Sequence, residues 1–404
     1  MAESFARTWK EIAIGFLQVG ATAYGGPAIM GIMQAEFQER RQWTSKPHFL
    51  EGLALVNVLP GATATQLGIF LGHARGGWWG GLLAGLCFAA PGFIVMLGLT
   101  MAYAAFGVSP ILRGALYGLG PVVLAIFFAA LFRLGKSALR SMTQGFIAIG
   151  AAAAALLSPL GAAAILLLAG GVGVFLFHGK RLGAIVLVGL TIALTVLPLL
   201  AWSPLGPRAV AAQEPTFGRV AALFGTIGTL TFGGGLTMIA LIQEQVVEQL
   251  HWLTPREFVD GLALGQLTPG PVLMLAAYVG YKVLGVGGAV VAAAASFLPS
   301  FILMLALLPV FARIQTLAWA RAVMQGLVPG VIGVMAVALV RMTPHAAPDL
   351  PAIAALVVTG VILIARRVAP LKAMLGGSVF GILRDRVCEL PGVRTVLCVS
   401  VWGR

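Results

Sequence analysis

The 404-residue chain is 59% hydrophobic and only 10% charged, with a mean hydropathy of +0.99. A soluble domain carries about 25% charged residues, so this composition excludes a water-soluble fold and defines a polytopic helical membrane protein. The net charge of +13 does not mark a nucleic-acid binder, because the basic residues are scattered between apolar segments as in the loops of an inner-membrane protein.

The N-terminal stretch "MAESFARTWKEIAIGF" has no small-residue cleavage site behind a short apolar core, so no removable leader is expected. Apolar segments then follow at roughly 12–33, 48–71, 77–105 and 111–132, with three more near 144–157, 163–177 and 183–201. A polar link, "SPLGPRAVAAQEPT" (203–216), separates these from segments near 217–241, 257–280, 284–311, 319–341 and 350–365. Several exceed the ~20 residues that span hydrocarbon, which tilting, kinking or re-entrance absorbs. The runs are continuous and rich in Ala, Gly and Leu, not alternating, which argues against a β-barrel. The fold class is all-α, with about 10–13 transmembrane segments. The tail after Lys372 mixes charged and apolar residues without a clear span, and residues 373–404 are assigned no role. Cys87, Cys388 and Cys398 match no metal spacing.

The chain reads as one unit written twice. At an offset of 208, Gly20 falls on Gly228, Gly25 on Gly233, Gly26 on Gly234 and Glu36 on Glu244. One extra residue then shifts the offset to 209, placing Trp43 on Trp252, Glu51 on Asp260 and "GLALVNVLPGA" (52–62) on "GLALGQLTPGP" (261–271). Back at 208, Gly72 falls on Gly280, Pro91 on Pro299, Arg113 on Arg321, Pro121 on Pro329 and Arg133 on Arg341. Shared apolar composition aligns Leu with Leu, but not Arg with Arg. The expected organisation is a first repeat with three extra segments (1–202), the link, a second repeat (217–372) and the tail. Clusters at Arg133/Lys136/Arg140, Lys180/Arg181 and Arg366/Arg367/Lys372 place one side in the cytoplasm, the N-terminus with it; Arg40, Arg41 and Lys46 run against this. Seven segments before the link make the second copy enter from the opposite side. Such an inverted repeat is a common build of secondary transporters.

Each copy interrupts its apolar segments twice. Gly25-Gly26-Pro27 is answered by Gly233-Gly234-Gly235, and Leu59-Pro60-Gly61 by Thr268-Pro269-Gly270-Pro271. Gly costs about 1 kcal/mol in a helix interior and Pro about 3. Pro is tolerated as a first helical residue, so Pro27 and Pro271 read as starts of half-helices. Glycine faces also serve close helix packing, and Pro also kinks helices. Interruptions paired across both halves point instead to a binding site. Half-helix starts present unpaired N–H groups and a positive dipole end, which suit an anion. Polar side chains lie beside them: Thr22, Asn57, Thr63, Thr65, Gln66, Thr229, Thr231, Thr237, Gln266 and Thr268. Acids are absent from the breaks, which favours an oxyanion over a metal cation; no metal, cofactor or catalytic group is implied.

Each helix end supplies at most about 2 kcal/mol, less than desolvating even one unit charge costs. Arg75, Arg113, Lys282 and Arg321 are the candidates for added help, although each reads more readily as a snorkelling loop residue. Glu36, Glu244, Glu51 and Asp260 are candidates for proton coupling, although their positions near segment ends also suit interfacial residues. A channel, a membrane enzyme and a carrier of another oxyanion remain as rivals. The enzyme lacks a catalytic cluster, the five histidines being scattered near loops, and no GxxxxGK[ST] loop supports an ATP-driven pump.

The motifs "YGGPAIMGIMQAEF", "LVNVLPGATATQLGIFLGHARGG", "TFGGGLTMIALIQEQVV" and "LGQLTPGPVLMLAAYVGYKVLGVGG" resemble those of the chromate ion transporter family, over roughly residues 10 to 342. The resemblance implies a bidomain inner-membrane protein that exports chromate, driven by the proton motive force, with isosteric sulfate as competitor. It places the family's glycine-proline motifs on Gly25, Gly26, Pro27, Pro60, Gly61, Gly233, Gly234, Pro269, Gly270 and Pro271. The second copy has Gly-Gly-Gly where the first has Gly-Gly-Pro, so the two sites need not be equivalent. Whether the chain forms a homodimer stays open.

Overall fold

The structure is a computed structural model, and it describes residues 5–24, 26–106, 109–199, 214–232, 235–308, 318–366 and 368–388. Gly25, Gly233 and Gly234, on which the first pair of breaks was expected, lie outside the described residues. Every regular element among those residues is a helix.

In the first half, α1 (Phe5–Thr22) is followed by α2 (Gly26–Met33), which runs on as a π-helix, Gln34–Arg40. Then come α3 (Lys46–Val58), α4 (Thr63–Phe106), α5 (Pro110–Ala138), α6 (Met142–Leu157), α7 (Ala162–Phe177) and α8 (Lys180–Leu199). The second half opens with α9 (Phe217–Thr229) and α10 (Leu236–Ile242), again extended by a π-helix, Gln243–Gln249. It continues with α11 (Pro255–Leu267), a 3-10 turn (Val272–Met274), α12 (Leu275–Leu307), α13 (Ala318–Ala346), α14 (Leu350–Arg366) and α15 (Pro370–Cys388).

Local chemistry fixes the boundaries. Ser45, Ser109 and Thr216 accept from a backbone N–H three residues on, capping α3, α5 and α9. Ser141 with Gln144 and Thr254 with Glu257 form full capping boxes. Pro47, Pro110 and Pro255 sit in first turns, where a missing N–H costs nothing.

α4 and α12 are each folded back on themselves. The dihedrals turn at Gly76 (φ −134°, ψ 20°) and Gly77 (65°, −156°), and again at Leu284 (−137°, 20°) and Gly285 (63°, −154°). The second residue of each pair occupies a region essentially restricted to glycine. The arms 63–75 and 78–106 then pack antiparallel: a Cβ on Gly72 would lie 2.5 Å from the Gly80 carbonyl oxygen. In a straight helix residues eight apart are about 12 Å apart. Gly280 and Gly288 clash in the same way in α12. The boundaries expected near residues 72–76 and 281–283 are these hairpin turns.

Two helices from the later part of each half pack on the opposite half. α6 and α7 lie against α13, while α14 and α15 lie against α5. Glycines let the backbones touch: a Cβ on Gly326 would strike the Ala169 carbonyl, and one on Gly118 the Gly377 carbonyl. Arg341 reaches across to the Ala155 carbonyl (3.0 Å) and Arg133 to the Leu363 carbonyl (2.6 Å). The tail expected to lack a span is therefore helical from Pro370 to Cys388 and packed on α5, where Arg384 pairs with buried Asp349 at 2.5 Å. Its start lies 208 residues after that of α7, as Leu350 lies 208 after Met142. So α6 and α7, expected as extra segments, match α14 and α15 in position. The sequence hid this helix because Lys372, Arg384, Asp385 and Arg386 lower its hydropathy, while Gly377 and Gly381 serve the contact.

Thr63–Phe106, Pro110–Ala138, Val272–Leu307 and Ala318–Ala346 are long and apolar enough to cross a membrane, and three shorter apolar helices join them. Outward faces carry exposed Ile149, Ile185, Ile302 and Val361, as a lipid-facing surface would. The chain is a multi-pass membrane protein.

Candidate functional site

The interrupted segments meet crosswise. Gly61, in the break between α3 and α4, donates its N–H to the Thr231 carbonyl, in the break between α9 and α10, at 2.7 Å. Gly270, between α11 and the 3-10 turn, donates to the Ala23 carbonyl, between α1 and α2, at 2.8 Å. A Cβ on Gly235 would lie 3.2 Å from Val272, so the two breaks of the second half also touch. Breaking a helix in hydrocarbon frees backbone groups that need partners. Here one half's break satisfies the other's. Gly61 (φ 122°), Gly235 (95°) and Gly270 (91°) all take left-handed conformations that favour glycine.

The second strand of contacts comes from the hairpin helices. The Ser300 hydroxyl of α12 accepts from the Ala62 N–H at 2.8 Å. Gly92 of α4 faces the other break so closely that a Cβ would lie 2.6 Å from the Pro269 carbonyl. Gln66, in the first turn of α4, turns back to donate from Nε2 to the Pro60 carbonyl at 2.7 Å. Thr63, Thr65 and Gln66 are buried, the last two completely. Ser300 and Gly92 were not singled out from the sequence. Their signal was present, since each follows Pro299 or Pro91 of the aligned pair.

Other expected lining residues look elsewhere. Thr22, Thr229, Thr231 and Thr268 return their hydroxyls to the carbonyl four residues back, closing the helix ends before the breaks. Asn57 is exposed and donates to the Leu53 carbonyl at 2.8 Å; Gln266, its counterpart, is half-buried. Thr237 holds the turn into α10 by donating to the Phe232 carbonyl at 2.6 Å. Pro27 is the second residue of α2, and Pro271 immediately precedes the 3-10 turn. Pro60 and Pro269 lie in the breaks proper.

The charged candidates separate into different roles. Glu36 pairs with Arg41 at 2.6 Å and Arg40 at 3.1 Å. The Arg41 hydrogen bond, opposed by burial and aided by Arg40, holds its carboxyl below the ordinary value. Glu244 is buried and caps α7, accepting from the Ala162 N–H at 2.6 Å and from Gln249 at 3.0 Å. Glu51 is exposed and pairs with His48 at 3.0 Å. Asp260 is only 1% exposed, 3.2 Å from Arg256, and accepts from the Tyr103 hydroxyl at 3.0 Å. Arg75 is met by Glu11 at 3.0 Å and Lys282 by Glu257 at 2.7 Å, so both cations have partners away from the breaks. Arg113 is half-buried and Arg321 exposed, near the starts of α5 and α13. No group of three or more His, Cys, Asp or Glu able to hold a metal occurs among the described residues.

Broken helices of a multi-pass membrane protein, joined through their breaks, have the architecture of a transporter. The chain belongs to the chromate transporter family, whose profile matches it twice, over residues 10–175 and 218–382. It is a transporter and not an enzyme. It is 29% identical over 386 residues to the chromate transport protein of Cupriavidus metallidurans, covering 93% of each chain. It is 30% identical to the chromate transport protein of Pseudomonas aeruginosa, over 86% of this chain and 84% of that one. The same identity links it to a probable chromate transport protein of Synechococcus elongatus, over 86% and 87% of the two chains. No solved structure matches it.

Proposed function

We propose that this chain is a secondary transporter that exports chromate across the bacterial inner membrane, driven by the proton motive force. In this reading the two halves are inverted-topology repeats, and the oxyanion binds where the four breaks meet. The crosswise pair of hydrogen bonds, Gly61 to Thr231 and Gly270 to Ala23, carries the reading. It joins a break of each half to a break of the other, which supports a shared centre. The recurrence of both π-helices and both hairpin turns at offsets of 208 or 209 supports the duplication.

Rocking one half against the other would open this place alternately to each side. Asp260 is the acid best placed to carry the coupling proton. It is buried, and its Tyr103 partner belongs to the other half, so gain or loss of its charge bears on contact between halves. Glu36 and Glu244 hold local structure, and Glu51 faces outward.

The test is radiolabelled chromate accumulation in everted vesicles with an acid interior, with sulfate as competitor and an uncoupler as control. Uncoupler-sensitive accumulation is expected. Movement of sulfate but not chromate would keep the oxyanion carrier and discard the substrate; movement of neither by folded protein would discard the anion site. Asp260→Asn is expected to abolish accumulation against a gradient while chromate exchange persists.

A further inference from the structure

We infer that the two breaks are chemically unequal, and that the transported oxyanion is held at the Gly61 break, under the first turn of α4, while the Gly270 break is its dry structural counterpart. This rests on the proposed oxyanion transport and says where in the duplicated centre the ion sits.

The inequality appears position by position. Around Gly61 stand Thr231, whose carbonyl holds the Gly61 N–H, Ser300, which holds the Ala62 N–H, and the first-turn residues Thr65 and Gln66. At the offset of 208 their counterparts around Gly270 are Ala23, Gly92, Leu273 and Met274. At an offset of 209, Thr65 and Gln66 fall on Met274 and Leu275, which are equally apolar. Every polar side chain on one side is thus answered by an apolar one or by glycine. The backbones stay alike, with Gly61 and Gly270 both at positive φ and both bonded across the halves. The Gly270 side has a hydroxyl of its own in Thr268, opposite Leu59, but it is spent on the Leu264 carbonyl at 2.8 Å. Packing of the first turn therefore does not call for polar residues on the Gly61 side, because the other side does without them there.

Two of those polar groups are left without a partner. Thr65 and Gln66 are 0% exposed, and neither Thr65 Oγ1 nor Gln66 Oε1 has a hydrogen-bond partner. Gln66 is folded into the break: Nε2 reaches the Pro60 carbonyl and lies 2.7 Å from where a Gly61 Cβ would be. A buried polar atom without a partner costs about 1–3 kcal/mol, which Met or Leu at these positions would avoid. A ligand that arrives and leaves accounts for such groups.

The donor set describes that ligand. The first N–H groups of a helix have no intrahelical partner, and the Gln66 N–H already bonds the Ala62 carbonyl. Thr63, Ala64 and Thr65 therefore offer amides at the positive end of α4, which an oxyanion accepts. Gln66 Nε2 has a second hydrogen to give. Gln66 Oε1 is an acceptor and takes a hydrogen that the anion brings, on a hydroxyl of its singly protonated form or on a bound water. The site fits a small oxyanion with one hydrogen to donate.

Transport kinetics and ligand-induced stabilisation of the full chain test this, with chromate as the probe. Gln66→Met places the counterpart residue in the first break and Met274→Ala trims the second. Gln66→Met is expected to raise the chromate KM about tenfold or more, the loss of one hydrogen bond to a charged ligand. It should also remove the rise in unfolding temperature that chromate gives the unaltered protein. Met274→Ala should leave both within twofold, and Thr65→Val should follow Gln66→Met in the same direction. Equal KM changes from Gln66→Met and Met274→Ala would overturn the inequality while leaving oxyanion transport intact. A lower kcat with unchanged KM and unchanged stabilisation in Gln66→Met would make Gln66 structural and also overturn it. Absence of chromate transport and of stabilisation in the unaltered protein would remove the transport reading itself, and this inference with it.

Discussion

The helices that lead into the two Pro-Gly breaks share a backbone and differ in what they bury. In α3, Glu51 is exposed beside His48. In α11, the matching Asp260 is buried between Arg256 and the Tyr103 hydroxyl. Nearby, Lys282 pairs with Glu257 and lies 5.8 Å from the Tyr103 ring centre, and the Tyr278 hydroxyl donates to the Glu257 carbonyl at 2.8 Å. The first half has Pro47, Phe70 and Ala74 where the second has Arg256, Tyr278 and Lys282. The difference teaches that a shared scaffold does not imply shared chemistry. The second half holds the ionic network around buried Asp260, and the first half holds the polar break proposed to bind the anion.

The sharpest way to break this comparison is to remove each acid in turn. Asp260→Ala removes a buried carboxylate from half-buried Arg256, which keeps the His345 carbonyl at 3.3 Å, so the loss reaches at most about 3–5 kcal/mol, that of a fully buried pair. Glu51→Ala removes an exposed pair worth about 1 kcal/mol or less. Thermal unfolding in detergent should therefore show a large fall for the first variant and little change for the second. Equal midpoints would mean that the Asp260 network contributes no more than a surface pair.

The second prediction turns on likeness instead of difference. Gly118 on α5 and Gly326 on α13 are each closed off by a carbonyl of the helix packed on them, Gly377 and Ala169 respectively. Overpacking costs about 1–3 kcal/mol, so Gly118→Ala and Gly326→Ala should destabilise by similar amounts. Gly31, with nothing within 4 Å of an added Cβ, should gain up to about 1 kcal/mol on Gly31→Ala through helix propensity. A large gap between the first two variants would separate the two crossings that the glycine contacts make alike.

How far the sequence carried the reading depends on the kind of signal. Backbone punctuation was legible: the Gly-Pro breaks, the hairpin turns near Gly77 and Gly285, and the aligned Arg133 and Arg341 all left marks in residue type and spacing. Side-chain direction was not. Thr22, Thr229 and Thr268 lie beside breaks in sequence but bond back to their own helices. Ser300 and Tyr103 are far from the breaks in sequence and reach the centre or Asp260 through helix packing. α15 was missed because Lys372, Arg384, Asp385 and Arg386 lower the hydropathy of a helix that nevertheless packs on α5.

The smallest expected effect comes from the other aligned pair of acids. Glu244 caps α7 through the Ala162 N–H, but the residue 208 positions after Ala162 is Pro370, which has no N–H to give. Glu36 turns to Arg41 and Arg40 instead. The Arg41 hydrogen bond is the largest influence lowering the Glu36 pKa from its ordinary 4.5, with burial opposing it. A carboxyl lowered on folding adds stability that is present above its unfolded value and lost as pH falls through the folded one. The unaltered protein should therefore lose this contribution as pH drops below about 4.5. Glu36→Gln should lower the unfolding midpoint slightly at neutral pH and not at all in strong acid. The size is that of a mostly screened pair, about 1 kcal/mol or less. A gap between Glu36→Gln and the unaltered protein that persisted unchanged into strong acid would assign the loss to packing instead of the ion pair.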